Sequence, residues 1–331
     1  MPLASPARLL ARLLGAGLLC ALAACDGGEQ PLAPSAEPQA STPAADGFDG
    51  SPSALTAALV GVKIAYESRV NGNAGIWVMN GDGTGRKQLT TWSGDELAPA
   101  WSRDNKHLAF MRKRPDANQV LHWDVFLMDA DGTHKHWARS TPAWFDIMDP
   151  SWAPDGKHLV TAISFDGVAQ YLATLDLATG TMDWVVDNSQ TVIEGGYPSY
   201  SPSGASILYV GGHGLSINEV YPNGDPYVLS QPSTPVTRPT WSPDGKKVAY
   251  GRAVGNNMDL YVLTRSTYAV KRLTFNALWD GNPTWSKDGG TIVFSSNRSG
   301  GSQLWSVPAA GGTQTRVAKT TSWDDAAALT F

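Results

Sequence analysis

The chain has 331 residues, enough for one large all-β domain or two ordinary ones, and its 34 Gly, 22 Pro and 13 Trp point to many short strands joined by tight turns. Its 25 basic and 30 acidic residues give a formal charge of −5, which becomes −7 once Arg8 and Arg12 are set aside with the leader described next. That balance argues against a nucleic-acid binder, which needs a concentrated basic face to displace counterions from phosphates.

Arg8 and Arg12 flank the start of an apolar run, Leu13 to Ala24, too short to cross a bilayer as a helix but suited to a signal-peptide core. It ends in Leu22-Ala23-Ala24-Cys25. Small residues directly before a cysteine resemble the bacterial lipobox, which implies that residues 1–24 are removed and that Cys25 carries a lipid. An ordinary signal peptide with Cys25 as an incidental thiol is the alternative. Asp26 resembles the inner-membrane retention signal of enteric bacteria, although that rule varies between lineages and leaves inner and outer membrane undecided. The two cysteines, Cys20 and Cys25, both precede the folded region, so no structural disulfide is expected. Residues 25–61 are rich in Ala, Pro, Ser, Gly and acidic side chains and read as a disordered tether, holding the folded body roughly 30 Å from its anchor. The expected location is therefore the cell envelope, facing the periplasm and attached to a membrane by lipid alone.

From residue 62 onward the sequence repeats. Its clearest copy is Arg238-Pro-Thr-Trp-Ser-Pro-Asp-Gly-Lys-Lys-Val-Ala-Tyr250, and related copies centre on Trp101, Trp152, Tyr200, Trp241 and Trp285. The gaps are 51, 48, 41 and 44 residues, the period of a four-stranded propeller blade. A proline stands two residues before each aromatic, at Pro99, Pro150, Pro198, Pro239 and Pro283, and an aliphatic residue seven after it, at Leu108, Leu159, Ile207, Val248 and Ile292. Pro-Asp-Gly at 154–156 and 243–245 is a turn sequence, so the aromatic ends a first strand. Lys247–Tyr250, Asp259–Leu263 and Val270–Thr274 then form the second, third and fourth. The turn aspartates are Asp104, Asp155, Asp244 and Asp288. The weakest turns are those with Ser203 in place of Asp and with Asn105 in place of Gly.

These copies resemble the TolB-type propeller repeat, a WD-like Pro-Asp repeat, and the resemblance covers residues 62–331. Lys63–Tyr66, Gly75–Met79 and Lys87–Thr90 match second, third and fourth strands with no first strand before them. At the other end, Trp323-Asp-Asp-Ala-Ala-Ala-Leu329 lines up with Trp279-Asp-Gly-Asn-Pro-Thr-Trp285, which puts Leu329 in the aromatic position. The expectation is an all-β, six-bladed propeller in which the N-terminal strands pair with a C-terminal strand, removing open sheet edges.

No Gly-x-Ser-x-Gly, His-Glu-x-x-His, phosphate loop or paired CxxC motif occurs, so neither a catalytic site nor a metal or other cofactor is expected. Lyases with similar rings hold a metal through clustered histidines. Here His107 and His158 take an exposed turn position, His122 a long loop, His134 and His136 a third-to-fourth hairpin and His213 a glycine turn. Gly81–Gly85 and Asp129–Thr133 space their oxygens as calcium loops do but lack the distal glutamate and read as hairpin turns.

In a propeller the fourth-to-first and second-to-third loops gather on one face around the channel mouth, the default binding site. The fourth-to-first connections carry Trp92, Asp95, Glu96, Trp144, Asp146, Glu194, Trp279, Asp280, Trp323 and Asp324, with Arg238 at the sixth. Arg69, Lys113, Arg114 and Arg298 stand farther out. Aromatics interleaved with carboxylates could clamp a basic or amphipathic segment, although acidic residues before the proline commonly bind the neighbouring blade and tryptophans pack between blades. The expected function is a monomeric, non-enzymatic scaffold that binds an envelope protein at this face, and the resemblance implies a peptidoglycan-associated partner. Glycan binding or lyase-like cleavage is the alternative.

Overall fold

A computed structural model of the chain describes residues 59–331 apart from 71, 141, 142, 223, 319 and 321. The leader, Cys25 and all of the tether before residue 59 lie outside the described residues. No helix among the described residues is long and apolar enough to cross a membrane.

Twenty-four strands form six four-stranded antiparallel sheets. Blade 1 joins β24 (Trp323–Leu329) to β1 (Lys63–Arg69), β2 (Ala74–Asn80) and β3 (Lys87–Gln88). Blade 2 holds β4 (Glu96–Trp101), β5 (His107–Pro115), β6 (Leu121–Asp129) and β7 (His136–Trp137), and blade 3 holds β8 (Asp146–Trp152), β9 (His158–Ser164), β10 (Tyr171–Asp176) and β11 (Met182–Trp184). Blade 4 comprises β12 (Gly196–Tyr200), β13 (Ile207–Gly211), β14 (Ser216–Val220) and β15 (Tyr227–Ser230). Blade 5 comprises β16 (Val236–Trp241), β17 (Lys247–Val254), β18 (Asn257–Thr264) and β19 (Ala269–Arg272), and blade 6 β20 (Asp280–Trp285), β21 (Thr291–Ser296), β22 (Gln303–Pro308) and β23 (Thr315–Arg316). The closing pair runs from Ile64 opposite Leu329 to Arg69 opposite Trp323, and β24 touches both β20 and β4.

The repeat's chemistry appears at each turn. Asp244 accepts hydrogen bonds from the Ser242 hydroxyl at 2.7 Å and the Lys246 amide at 3.0 Å, and these donors hold its carboxyl below the usual range. Gly156, Gly204, Gly245 and Gly289 end the turns with φ of 67–75°, and Asn105 takes that left-handed position in blade 2 at φ 60°. The segments Gly81–Gly85 and Asp129–Thr133 are hairpin turns, as expected, with Asp82 and Asp131 accepting from the threonine two residues on. The repeat aliphatics Leu108, Leu159, Ile207, Val248 and Ile292 are buried between blades. Two of the aromatics stitch their blade to the one before: Trp152 donates its indole N–H to the Ala100 carbonyl and Trp285 to that of Thr240.

Each inner strand also carries a bulge that the repeat does not announce. The residue directly before the proline position adopts a left-handed backbone in all six blades: Ala98, Asp149, Tyr197, Arg238, Asn282 and Ala326, with φ of 44–52°. The strand register slips at the same place in every blade. A following proline disfavours the right-handed helical conformation, and a bulge bends the strand and re-aims its side chain, here toward the ring axis. Such backbone costs on the order of 1–3 kcal/mol per residue and persists because the preceding blade holds it. Glu67 accepts the Ala98 N–H at 2.7 Å, Met111 sulfur the Asp149 N–H at 3.3 Å, and Ser295 the Ala326 N–H at 3.1 Å.

Three sequence-based placements change. His122 lies inside β6, paired with Arg114, where a long loop was expected. Arg238 is not a loop residue but sits within β16. Arg114 and Arg298, expected on the outer rim, turn inward onto Asp124 and Asp280 at 3.7 and 2.7 Å, because a buried carboxylate draws in the nearest guanidinium.

Candidate functional site

Each inner strand starts at the fourth-to-first loop, so this loop and the second-to-third loop share one end of every blade. The expected residues reach that end, but most are tied down. Glu96, first residue of β4, is buried with the Thr90 hydroxyl at 3.1 Å and Arg112 at 3.5 Å. Asp280, first residue of β20, is buried under both Arg298 contacts, each 2.7 Å. Asp324 accepts from Ser68 at 2.7 Å and faces Arg86 at 3.4 Å. Asp95 accepts the Ala74 amide at 2.7 Å and pairs with Arg69, while Asp146 accepts the Trp123 amide at 2.9 Å. These carboxylates bind first strands to their neighbours. Trp92 packs edge-on against Phe126, with Arg112 stacked 4.1 Å from its ring.

Other expected residues face outward. Trp144 is 45% exposed and packs on Phe145 and Phe165 at about 5.3–5.4 Å. Glu194 is exposed beside His213, 3.7 Å away. Trp279 and Trp323 flank a shallow cleft between blades 6 and 1, walled also by Gly300, Ser302 and Asp325.

A second cavity, about 240 Å³, lies on the ring axis and is lined by the six inner strands. Its wall runs from the six bulge residues down to the first-to-second-strand turns, including Arg103, Pro154, Pro202 and Pro243, and so toward the opposite face. Of the residues expected at the loop face, Arg238 lines it. The sequence reading overlooked its other polar members, Asp149 and Asn282, and the buried Glu67 behind them; the signal available was the column of residues preceding each repeat proline. Arg238 stacks on Tyr197 at 5.2 Å and faces Asp149 at 3.7 Å, and Asn282 donates to Asp325 at 2.8 Å. Burial raises the Asp149 carboxyl above its ordinary value, with Arg238 opposing. Among the described residues no three His, Cys, Asp or Glu side chains converge as metal ligands.

Burial also pushes the Glu67 carboxyl up to about 7, against the Ala98 hydrogen bond, with Asp325 adding to the rise and Arg238 and Arg69 opposing it. Burial likewise pushes Glu96 up to about 7, with Thr90 and Arg112 opposing and Asp95 assisting. Both folded values exceed the ordinary 4.5, so the folded chain binds more protons between them. Stability from these groups is full below about pH 4.5 and is lost as pH rises through 7, on the order of 2–3 kcal/mol for Glu67. The urea midpoint is expected to fall between pH 5 and pH 8, and Glu67→Gln, which can still accept the Ala98 N–H, to flatten that fall. An unchanged slope in the variant would refute the assignment.

Six twisted sheets closed by a strand from the opposite chain end make the described region a six-bladed β-propeller. Its fold is that of a TolB-type propeller, and the family described as TolB beta propeller domain matches residues 224–330. The chain is similar, 30% identical over 181 residues, to the uncharacterized protein Atu1656 of Agrobacterium fabrum, covering 54% of this chain and 59% of that protein. It is 27% identical over 173 residues to the Tol-Pal system protein TolB of Francisella tularensis subsp. mediasiatica, covering 51% of this chain but 29% of that one. The matches thus span less than two thirds of these relatives. In structure it resembles TolB from Acinetobacter baumannii, with a TM-score of 0.68 at 22% identity, covering 81% of this chain and 66% of that one.

Proposed function

We propose that this chain is a non-enzymatic scaffold of the bacterial envelope, tethered through Cys25 and residues 25–61, whose propeller over 62–331 binds another envelope protein at the fourth-to-first loop face. The observation that carries this reading is where exposed apolar side chains gather. Of fourteen large ones among the described residues, Val70, Val120, Leu121, Val168 and Leu215 sit on or beside second-to-third loops, and Trp144, Phe275 and Leu278 on fourth-to-first loops. The opposite face and the outer rim share the other six. Exposed aromatic rings such as Trp144 and Phe275 are the usual anchors of protein contacts. The likeness to a Tol-Pal system protein supports an envelope partner, with a peptidoglycan-associated protein the first to test.

A photo-crosslinking residue at Phe275 or Leu215 is expected to trap one discrete envelope protein in living cells, and one at Tyr268, on the opposite face, to trap none. Trp144→Ala with Phe275→Ala should cut that yield by about ten-fold or more. Equal trapping from both faces would remove this reading. Trp144, half exposed against Phe145 and Phe165, also favours a second one, a sugar-stacking platform. Uronic-acid polymers or peptidoglycan fragments would then shift the melting temperature or yield unsaturated products, an effect lost in Trp144→Ala.

A further inference from the structure

We propose that the axial funnel is a receptor for a small zwitterion, an α-amino acid whose carboxylate meets Arg238 and whose ammonium meets Asp149. This inference stands apart from the loop-face reading, because the funnel opens toward the opposite face.

The argument begins with unused hydrogen-bonding capacity. Arg238 and Asp149 are separated by 3.7 Å, beyond hydrogen-bond distance, so their attraction leaves donors and acceptors free. Among the described residues the Arg238 guanidinium has this ion pair, its stack on Tyr197 and the weaker attraction of Glu67 and Asp325 behind them, but no hydrogen bond. Other arginines differ: Arg265 bonds Glu219 at 2.9 Å and Arg298 bonds Asp280 at 2.7 Å. The Asp149 carboxylate likewise accepts no hydrogen bond there. Both side chains keep contact with the cavity, at 34% and 13% exposure. A guanidinium with free donors beside a carboxylate with free acceptors, deep in a ring, is costly to leave unsolvated and suits a partner carrying both opposite charges.

The geometry of the ring supports the match. The left-handed bulges turn Asp149, Tyr197, Arg238 and Asn282 to the axis on blades 3 to 6, while blades 1 and 2 place only Ala326 and Ala98 there. Charge is therefore gathered on one side of the funnel and room left on the other. Below the bulges the wall is mainly prolines and aromatics, among them Trp101, Trp152 and Trp241, with Arg103 and the hydroxyl residues Ser151, Ser199 and Thr240 beside them. An apolar amino-acid side chain can lie on the alanine side against that wall while its charged end reaches the polar side. The volume, about 240 Å³, falls under the roughly 300–1,000 Å³ typical of drug-sized ligands and suits a molecule of this size. A lone cation or anion would satisfy one partner and leave the other unmet. A peptide's two ends, lying far apart, could not bridge both.

The test uses the full chain at pH 7.5 with free amino acids as probes, read by calorimetry and thermal shift. At least one apolar amino acid, phenylalanine or leucine among them, is expected to bind and raise the melting temperature. Its analogues lacking one charge, such as 3-phenylpropionate and phenethylamine for phenylalanine, should bind at least about ten-fold more weakly, since each loses one charge-assisted contact. Arg238→Gln and Asp149→Asn should each weaken binding by a similar factor while the chain still melts cooperatively. If either variant fails to fold, the analogue series on the unaltered chain decides. Failure of every amino acid to bind, equal binding by a single-charge analogue, or binding that survives both substitutions would overturn the proposal.

Discussion

Removing residues 323–331 is expected to abolish cooperative thermal unfolding, because those residues are the inner strand of blade 1. Leu329 is buried in a cluster with Val62, Ile64, Tyr66, Met79, Val293 and Leu304, which draws on blades 6 and 1 together. Without β24 the ring is open: β1 presents an unpaired edge, and the apolar sides of blades 6 and 2 lose the strand that fills the gap between them. Polar ties go with it. Thr330 accepts the Lys63 N–H at 2.9 Å, and Asp324 holds Ser68 and Arg86. A milder probe, Leu329→Ala, is expected to cost about 2–5 kcal/mol, the range for a buried leucine. Phe331→Ala, at an exposed ring, should stay within about 0.5 kcal/mol. Calorimetry of the three variants checks this, and a truncated chain that melts like the full one would contradict ring closure.

The fold was legible because a propeller is written as repetition. The Trp-Ser-Pro-Asp-Gly turn, the proline before it and the aliphatic seven residues after the aromatic each answer to one local physical need, and the need recurs once per blade. Closure was legible too, since residues 323–329 align with 279–285 although their partner strand lies at the other end of the folded region. The site was harder to read for a different reason. An aspartate that begins a strand looks the same in sequence whether it faces water or a guanidinium, and the choice depends on residues elsewhere: Asp280 on Arg298 in the next strand, Asp324 on Ser68 at the other chain end. The exposed apolar residues of the same loops, Phe275 and Leu278, drew no notice beside the tryptophans. The axial ring was hidden because the column of residues before each repeat proline is visible in the sequence but the bulge that turns it to the axis is not. Arg238, Asp149 and Asn282 look like ordinary variation until six strands meet at an axis and turn them to face one another.

Arg298→Met is expected to destabilise the chain by about 3–5 kcal/mol, the cost of leaving a buried carboxylate without its cation. Asp280 is fully buried, Arg298 approaches both of its oxygens at 2.7 Å, and the Asn276 side chain donates to the same group. Asp259, also buried, lies near enough to repel it, though Arg272 offsets that charge. The substitution keeps an apolar chain of similar length but removes the guanidinium that stacks 5.4 Å from the Phe294 ring and 4.7 Å from the Trp305 ring, so lost cation–π contact adds a smaller share to the change. Asp280→Leu made on the Arg298→Met background removes the stranded charge and should recover part of the loss, giving a strongly non-additive cycle by urea unfolding. Asp280→Ala alone should likewise destabilise the blade, so any loss of partner binding in that variant would report on the fold and not on the loop face. Simple additivity of the two changes, or a single-variant cost under about 1 kcal/mol, would show that Asp280 is free to meet a partner after all.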